Sequence, residues 1–198
     1  MRKLSDWLNR ISGIWVVLFF FLLLILFAVF ILPTHAVIGT AEEGAPKIPD
    51  LFLWYTPGYL YDIADAYGET GRMEFLRMHA GFDVIWPLVY VGFLAVSLSR
   101  ATGLILKTEG RISRFSGILP RLNLIPVLAG ISDFLENIFT SVVILRFPER
   151  SPGIDTLSPV MTFLKWILVF SSVLFLSIIP GILIFRRISG RKKKKQAV

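Results

Sequence analysis

The sequence predicts an all-α membrane protein: a four-transmembrane-helix bundle, both termini cytoplasmic, with a short amphipathic helix on the outer surface. Three observations predict it. Of 198 residues, 55% are hydrophobic, 17 of them Phe, which is too apolar for a soluble domain of ordinary composition. Four apolar runs reach the length of a membrane span. Lys and Arg crowd the alternate flanks of those runs, as cytoplasmic segments do.

Residues 13–32 form an uncharged run, matching the ~20 residues that cross ~30 Å of hydrocarbon. Its length argues against a cleavable signal, whose apolar region is usually ~7–15 residues, although Gly39, Thr40 and Ala41 offer small residues. Residues 81–99, 122–145 and 159–185 supply the other spans, each carrying polar residues. The whole chain, 1–198, reads as one membrane domain with an outer segment at 33–80 and a basic tail at 186–198.

The inner flanks hold Arg2, Lys3, Arg10, Arg100, Lys107, Arg111, Arg114, Arg121, Arg186, Arg187, Arg191 and Lys192 to Lys195, against the acids Asp6 and Glu109. The outer segments hold Lys47, Arg72, Arg77, Arg146 and Arg150 against nine acids. This asymmetry accounts for the net charge of +7 as topology, with no nucleic-acid partner. The tail run Lys192 to Lys195 reads as a stop-transfer flank; the alternative is contact with anionic lipid.

The outer segment begins with Pro33, Gly39, Gly44, Pro46 and Pro49, poor helix material. Thr56 and Pro57 then read as a helix N-cap with proline at the first helical position. Leu60, Ile63, Ala64 and Tyr67 recur at helical spacing before Gly68 ends the run. With Trp54, Tyr55, Tyr59 and Tyr61 nearby, this helix is expected to lie flat at the membrane interface, or alternatively to form a lid over the spans. From Arg72 a helix is expected to run directly into the second span, with a kink at Pro87.

There are no cysteines, which excludes disulfides, thiolate metal sites and thiol nucleophiles, and no complete catalytic motif is present. Functional information is concentrated in the intramembrane polar residues, because a charge at bilayer depth costs about 2.5–3.5 kcal/mol even on lenient scales. Asp133, Glu136, Asn137 and Thr140 share one helical face. Measured from Leu145 at about 1.5 Å per residue, Glu136 lies ~13 Å and Asp133 ~18 Å deep. Asp83 and Tyr90 lie on the second span, with His79 four residues before Asp83 and expected to be wet at the interface.

Lys165, ~9 Å below Pro159, is the only cation inside a span. It is expected to pair with Glu136, with Asp83 as the rival partner and Asp133 left as a neutral acid. A metal at His79, Asp83, Asp133 and Glu136 is disfavoured by their separation in depth, and no cofactor is expected. The second to fourth spans should enclose the cluster, leaving the first facing lipid.

The run from Tyr67-Gly68 through Gly71-Arg72, then Asp83, Trp86-Pro87, Tyr90 and Asp133-Phe134-Leu135-Glu136-Asn137, resembles an uncharacterised family of small prokaryotic four-helix membrane proteins. It covers most of residues 55–145, implies the four-span plan and brings no activity with it. The acids are also reminiscent of sterol-isomerase-type bundles, but their spacing does not match.

The leading functional expectation is a membrane protein binding a small or lipid-like ligand in an acid-lined cavity formed by Asp83, Tyr90, Asp133, Glu136, Asn137, Thr140 and Lys165. The alternatives are proton- or cation-coupled transport, which would call for a homo-oligomer, an accessory subunit, and a lipid-modifying enzyme using a buried acid. Membrane lipids are the expected surroundings in each case.

Overall fold

The computed structural model describes residues 1–31, 48–109 and 117–196, which are helical with no strand among them. Residues Pro33 to Lys47, Arg111 and Arg114, discussed above, lie outside the described residues, as do the side chains of Arg186, Arg187, Arg191 and Lys192 to Lys195. Helix α1 is Arg2–Ile11 and α2 is Ile14–Leu26, extended by a π turn at Phe27–Ile31. A 3-10 turn at Pro49–Leu51 precedes α3, Pro57–Glu109. A second 3-10 segment, Leu119–Leu124, leads into α4, Ile125–Arg146, and α5 is Ile154–Gln196. Among the described residues, four stretches are long and apolar enough to cross a membrane: Ile14–Ile31, Pro57–Lys107, Leu119–Arg146 and Ile154–Gly181.

Helices α3, α4 and α5 pack together around polar side chains, and α2 packs mainly against α3. No residue of α2 is buried, as expected of a span whose surroundings are lipid. It meets α3 where Gly92 has no side chain: a Cβ there would collide with the Phe20 ring. Higher up, Phe27 packs on Phe82 and Trp86.

We call the end carrying residues 48–67 and 146–154 the upper end. Gly68 breaks α3 there with φ +60° and ψ −172°, so residues 57–67 form a separate helical arm above the long section from Glu69. Glycine suits this backbone because it lacks the Cβ that penalises positive φ. Arg72 reaches back to the arm, donating to the Ala64 carbonyl at 2.9 Å.

The apolar side of the arm does not face a lipid surface. Leu60, Ile63 and Ala64 are fully buried, packed with Phe75, Val143, Ile144 and Phe147 at the top of α3 and α4. Tyr55 and Tyr61 are buried as well, while Trp54 stays exposed. The arm is therefore part of the core, which corrects the flat interfacial placement. The helical spacing of its apolar residues revealed a buried face but could not show whether lipid or protein covers it.

The lower end contains an element that periodicity had not singled out. Helix α1 is amphipathic, with Ser5 and Leu8 buried. The Ser5 hydroxyl donates to Asn123 Oδ1 at 2.8 Å, and Asn123 Nδ2 donates to the Ser5 carbonyl at 3.2 Å and to Ser99 Oγ at 2.8 Å. Leu4, Leu8 and Ile11, at helical spacing before the first span, were the readable signal.

Truncating Leu60 to Ala should destabilise the folded bundle by about 2–4 kcal/mol, as for other buried leucines. The exposed neighbour Asp65→Ala should stay within about 0.5 kcal/mol. Unfolding titrations of the detergent-solubilised variants distinguish this arm from one resting on the membrane surface, for which the two changes would be equally mild.

Candidate functional site

Lys165 projects from α5 into the bundle with 5% of its surface exposed. Its Nζ lies 2.6 Å from Glu136 Oε2, 2.7 Å from Asp50 Oδ1 and 3.6 Å from Asp133 Oδ1. An ammonium taken out of water needs anions and acceptors in its place. Here three carboxyl groups from three parts of the chain provide them. Asp133 and Glu136 come from one face of α4, and Asp50 from the 3-10 turn before the arm.

The carboxyls are themselves held by hydroxyls. Tyr90 OH donates to Asp133 Oδ2 at 2.7 Å, and Thr162 Oγ1 donates to Glu136 Oε1 at 2.6 Å. Above them the Tyr55 hydroxyl shares a hydrogen bond with Ser158 Oγ at 2.8 Å, and Ser158 with Thr140 Oγ1 at 2.6 Å. Asp155, Ser158, Thr162 and Lys165 recur at intervals of three and four, so α5 presents a buried polar stripe to α4. Asp155 Oδ2 accepts from Tyr61 OH at 3.1 Å, and that hydroxyl accepts from the Ser151 amide at 2.8 Å. The arm is thus tied by Tyr61 to the start of α5, and Tyr55, two residues before it, joins the network above Glu136.

Two groups just before the arm are shifted by their surroundings. Burial alone would raise the Asp50 carboxyl, but the Lys165 ammonium beside it and its acidic neighbour's hydrogen bond prevail and hold it well below the usual carboxylate range. Burial and the nearby Glu136 carboxyl push the Tyr55 hydroxyl up to about 12, so it remains a neutral donor.

The structure brings together Tyr90, Asp133, Glu136, Thr140 and Lys165 of the residues proposed from sequence. Lys165 pairs with Glu136 as expected. It also reaches Asp133, which is therefore not left without a cation. Asp83 is not its partner: its Oδ2 lies 3.2 Å from Nδ1 of His79, on the same helix. Asn137 turns from the Lys165 group toward this pair, its Nδ2 donating to the Asp83 carbonyl at 3.2 Å. His79 is buried rather than wet, its ring 4.1 Å from that of Phe75.

Sequence reasoning missed Asp50, Tyr55, Ser158 and Thr162. Asp50 follows a proline-rich stretch and precedes Lys165 by 115 positions, and no local period marks such a contact. The spacing of Ser158, Thr162 and Lys165 was readable as one face of α5. The carboxylate grouping also differs from the His79, Asp83, Asp133 and Glu136 set. Among the described residues, Asp50, Asp133 and Glu136 bring ligand-type oxygens within 4.8 Å of one another, and His79 and Asp83 stand apart as a pair.

No protein-family model, curated protein or solved structure matches the chain.

A double-mutant cycle tests the ion cluster. Lys165→Met should couple to Glu136→Gln and to Asp50→Asn by about 0.5–3 kcal/mol each, whereas coupling to Asp83→Asn should be smaller. Asp50 also fixes a pH dependence. Its folded value lies below its unfolded value, so its contribution is fully present above the unfolded value and is lost as pH falls through the folded one. The destabilisation by Asp50→Asn should therefore be unchanged between about pH 8 and pH 5 and shrink only below the ordinary carboxylate value of ~4. Unfolding titrations across that range measure it.

Proposed function

We propose that the chain is a multi-pass protein of the cell membrane with both termini cytoplasmic, and that the carboxylates around Lys165 bind a small cationic ligand. The orientation rests on the Lys and Arg asymmetry of the flanks, which puts the arm outside. The binding reading rests on one observation: the Lys165 ammonium stands 2.6–3.6 Å from three carboxyl groups. It acts there as a tethered cation in a site made of oxygen donors.

Carboxylates and hydroxyls close around a positive head, and they disfavour a wholly apolar guest. The small or lipid-like ligand expected from sequence is narrowed to one carrying a cationic head group. An external amine or metal ion would take the place of Lys165 Nζ, and the arm, tied down by Tyr55 and Tyr61, would close the site from outside.

A second reading, proton-coupled exchange, is favoured by charge balance. One ammonium faces three carboxyls, so the cluster can carry an additional proton in exchange for a ligand. It predicts pH-gradient-dependent uptake by proteoliposomes.

The two halves of the proposal are tested separately. A reporter fused after Val198 should be active only in a cytoplasmic format. Titrated with n-butylammonium at constant ionic strength, the purified protein should show a saturable rise in thermal stability. Glu136→Gln should abolish that rise, while Lys165→Met, which removes the tethered competitor, should strengthen it. If both variants respond like the parent, binding lies elsewhere.

A further inference from the structure

A second feature lies at the lower end, away from the carboxylates. A cavity of about 490 Å³ opens where α1, the lower part of α3 and the Leu119–Leu124 segment meet. Arg10, Arg100 and Lys107 line it, and among the described residues no carboxylate does. None of the three makes an ion pair among the described residues. Arg100 is held in place, its Nη1 donating to the Ser12 carbonyl at 3.4 Å. Asn9, also in the lining, is fixed by donation to the Pro120 carbonyl at 3.2 Å.

The position of the cavity limits what can enter it. Gly13, in its wall, is the residue at which the chain turns from α1 into the apolar run Ile14–Ile31. Those 18 residues rise about 27 Å at 1.5 Å each, close to the hydrocarbon thickness. Gly13 therefore lies at the boundary between acyl chains and head groups. Trp7 and Trp15, both largely exposed, flank that level as interfacial aromatics do. Leu104 and Leu106 add apolar wall beside the cations.

We infer that this cavity binds the phosphate of an anionic phospholipid head group, with Arg10, Arg100 and Lys107 as its cationic partners and the adjoining leucines against the start of the acyl chains. Phosphate is the shared chemistry, and inorganic phosphate is the alternative source. Guanidinium groups suit it because their planar N–H donors match its oxygens.

Native mass spectrometry of the full chain in a neutral detergent tests the site, with phosphatidylglycerol, phosphatidylcholine and inorganic phosphate as probes. One equivalent of phosphatidylglycerol should bind about tenfold or more tightly than phosphatidylcholine, a preference that a few basic groups at the interface can supply. Arg100→Gln with Lys107→Gln should remove the preference. Arg2→Gln with Arg121→Gln removes the same charge from the same end without touching the lining and should keep it. Failure of inorganic phosphate at millimolar concentration to displace the lipid assigns the site to the head group, and displacement assigns it to free phosphate. Equal binding of the two lipids, or a preference surviving in the first variant but lost in the second, would overturn the inference. A melting curve for each variant identifies loss through unfolding, and Arg10→Gln, at an exposed position, then provides the lining variant that decides.

Discussion

A primary ammonium inside a helical bundle is the constraint around which the upper half of this molecule is organised. Taking that charge out of water costs several kcal/mol unless anions replace the lost hydration. Lys165 is therefore surrounded by Glu136, Asp50 and Asp133, and each carboxyl creates its own demand for donors. Tyr90 and Thr162 meet that demand directly. Ser158, Thr140 and Tyr55 extend the network toward the arm. The acidic face of α4 and the placement of the Asp50 turn answer to one buried positive charge.

The two ends of the bundle are tied differently. At the lower end neutral groups do the work: Ser5, Ser99 and Asn123 exchange hydrogen bonds that join α1, α3 and the second 3-10 segment. These contacts do not depend on any ionisation state within reach of ordinary pH. At the upper end, the turn carrying Asp50 is held by charge and the arm by tyrosine hydroxyls. Ion pairing thus contributes to holding the upper end, where the lower-end triad relies on neutral hydrogen bonds.

Much of the plan was legible because the physics behind it is local or severe. Span length follows from hydrocarbon thickness. The acidic face of Asp133, Glu136 and Thr140 follows from helical period, and Lys165 had few acids to choose from. The parts that escaped depend on contacts between distant segments. Asp50 sits after a proline-rich stretch with nothing local to link it to Lys165. The arm's apolar face was visible in Leu60, Ile63 and Ala64, but lipid and protein leave the same periodic trace. His79 looked like a residue at a wet span end until the arm and the top of α4 enclosed Phe75 and its surroundings.

The contact between Asp50 and Lys165 joins the turn before the arm to α5, across 115 positions. A ribosome delivers those groups far apart in time. Asp50, Asp133 and Glu136 have all been synthesised before Lys165 emerges, so a nascent chain containing only the first three spans holds acidic groups in want of a cation. Lys165 of α5 supplies that cation and holds the Asp50 turn through the same ammonium. The placement of the Asp50 turn thereby depends on the arrival of α5, because one ammonium serves both the acidic face of α4 and that turn.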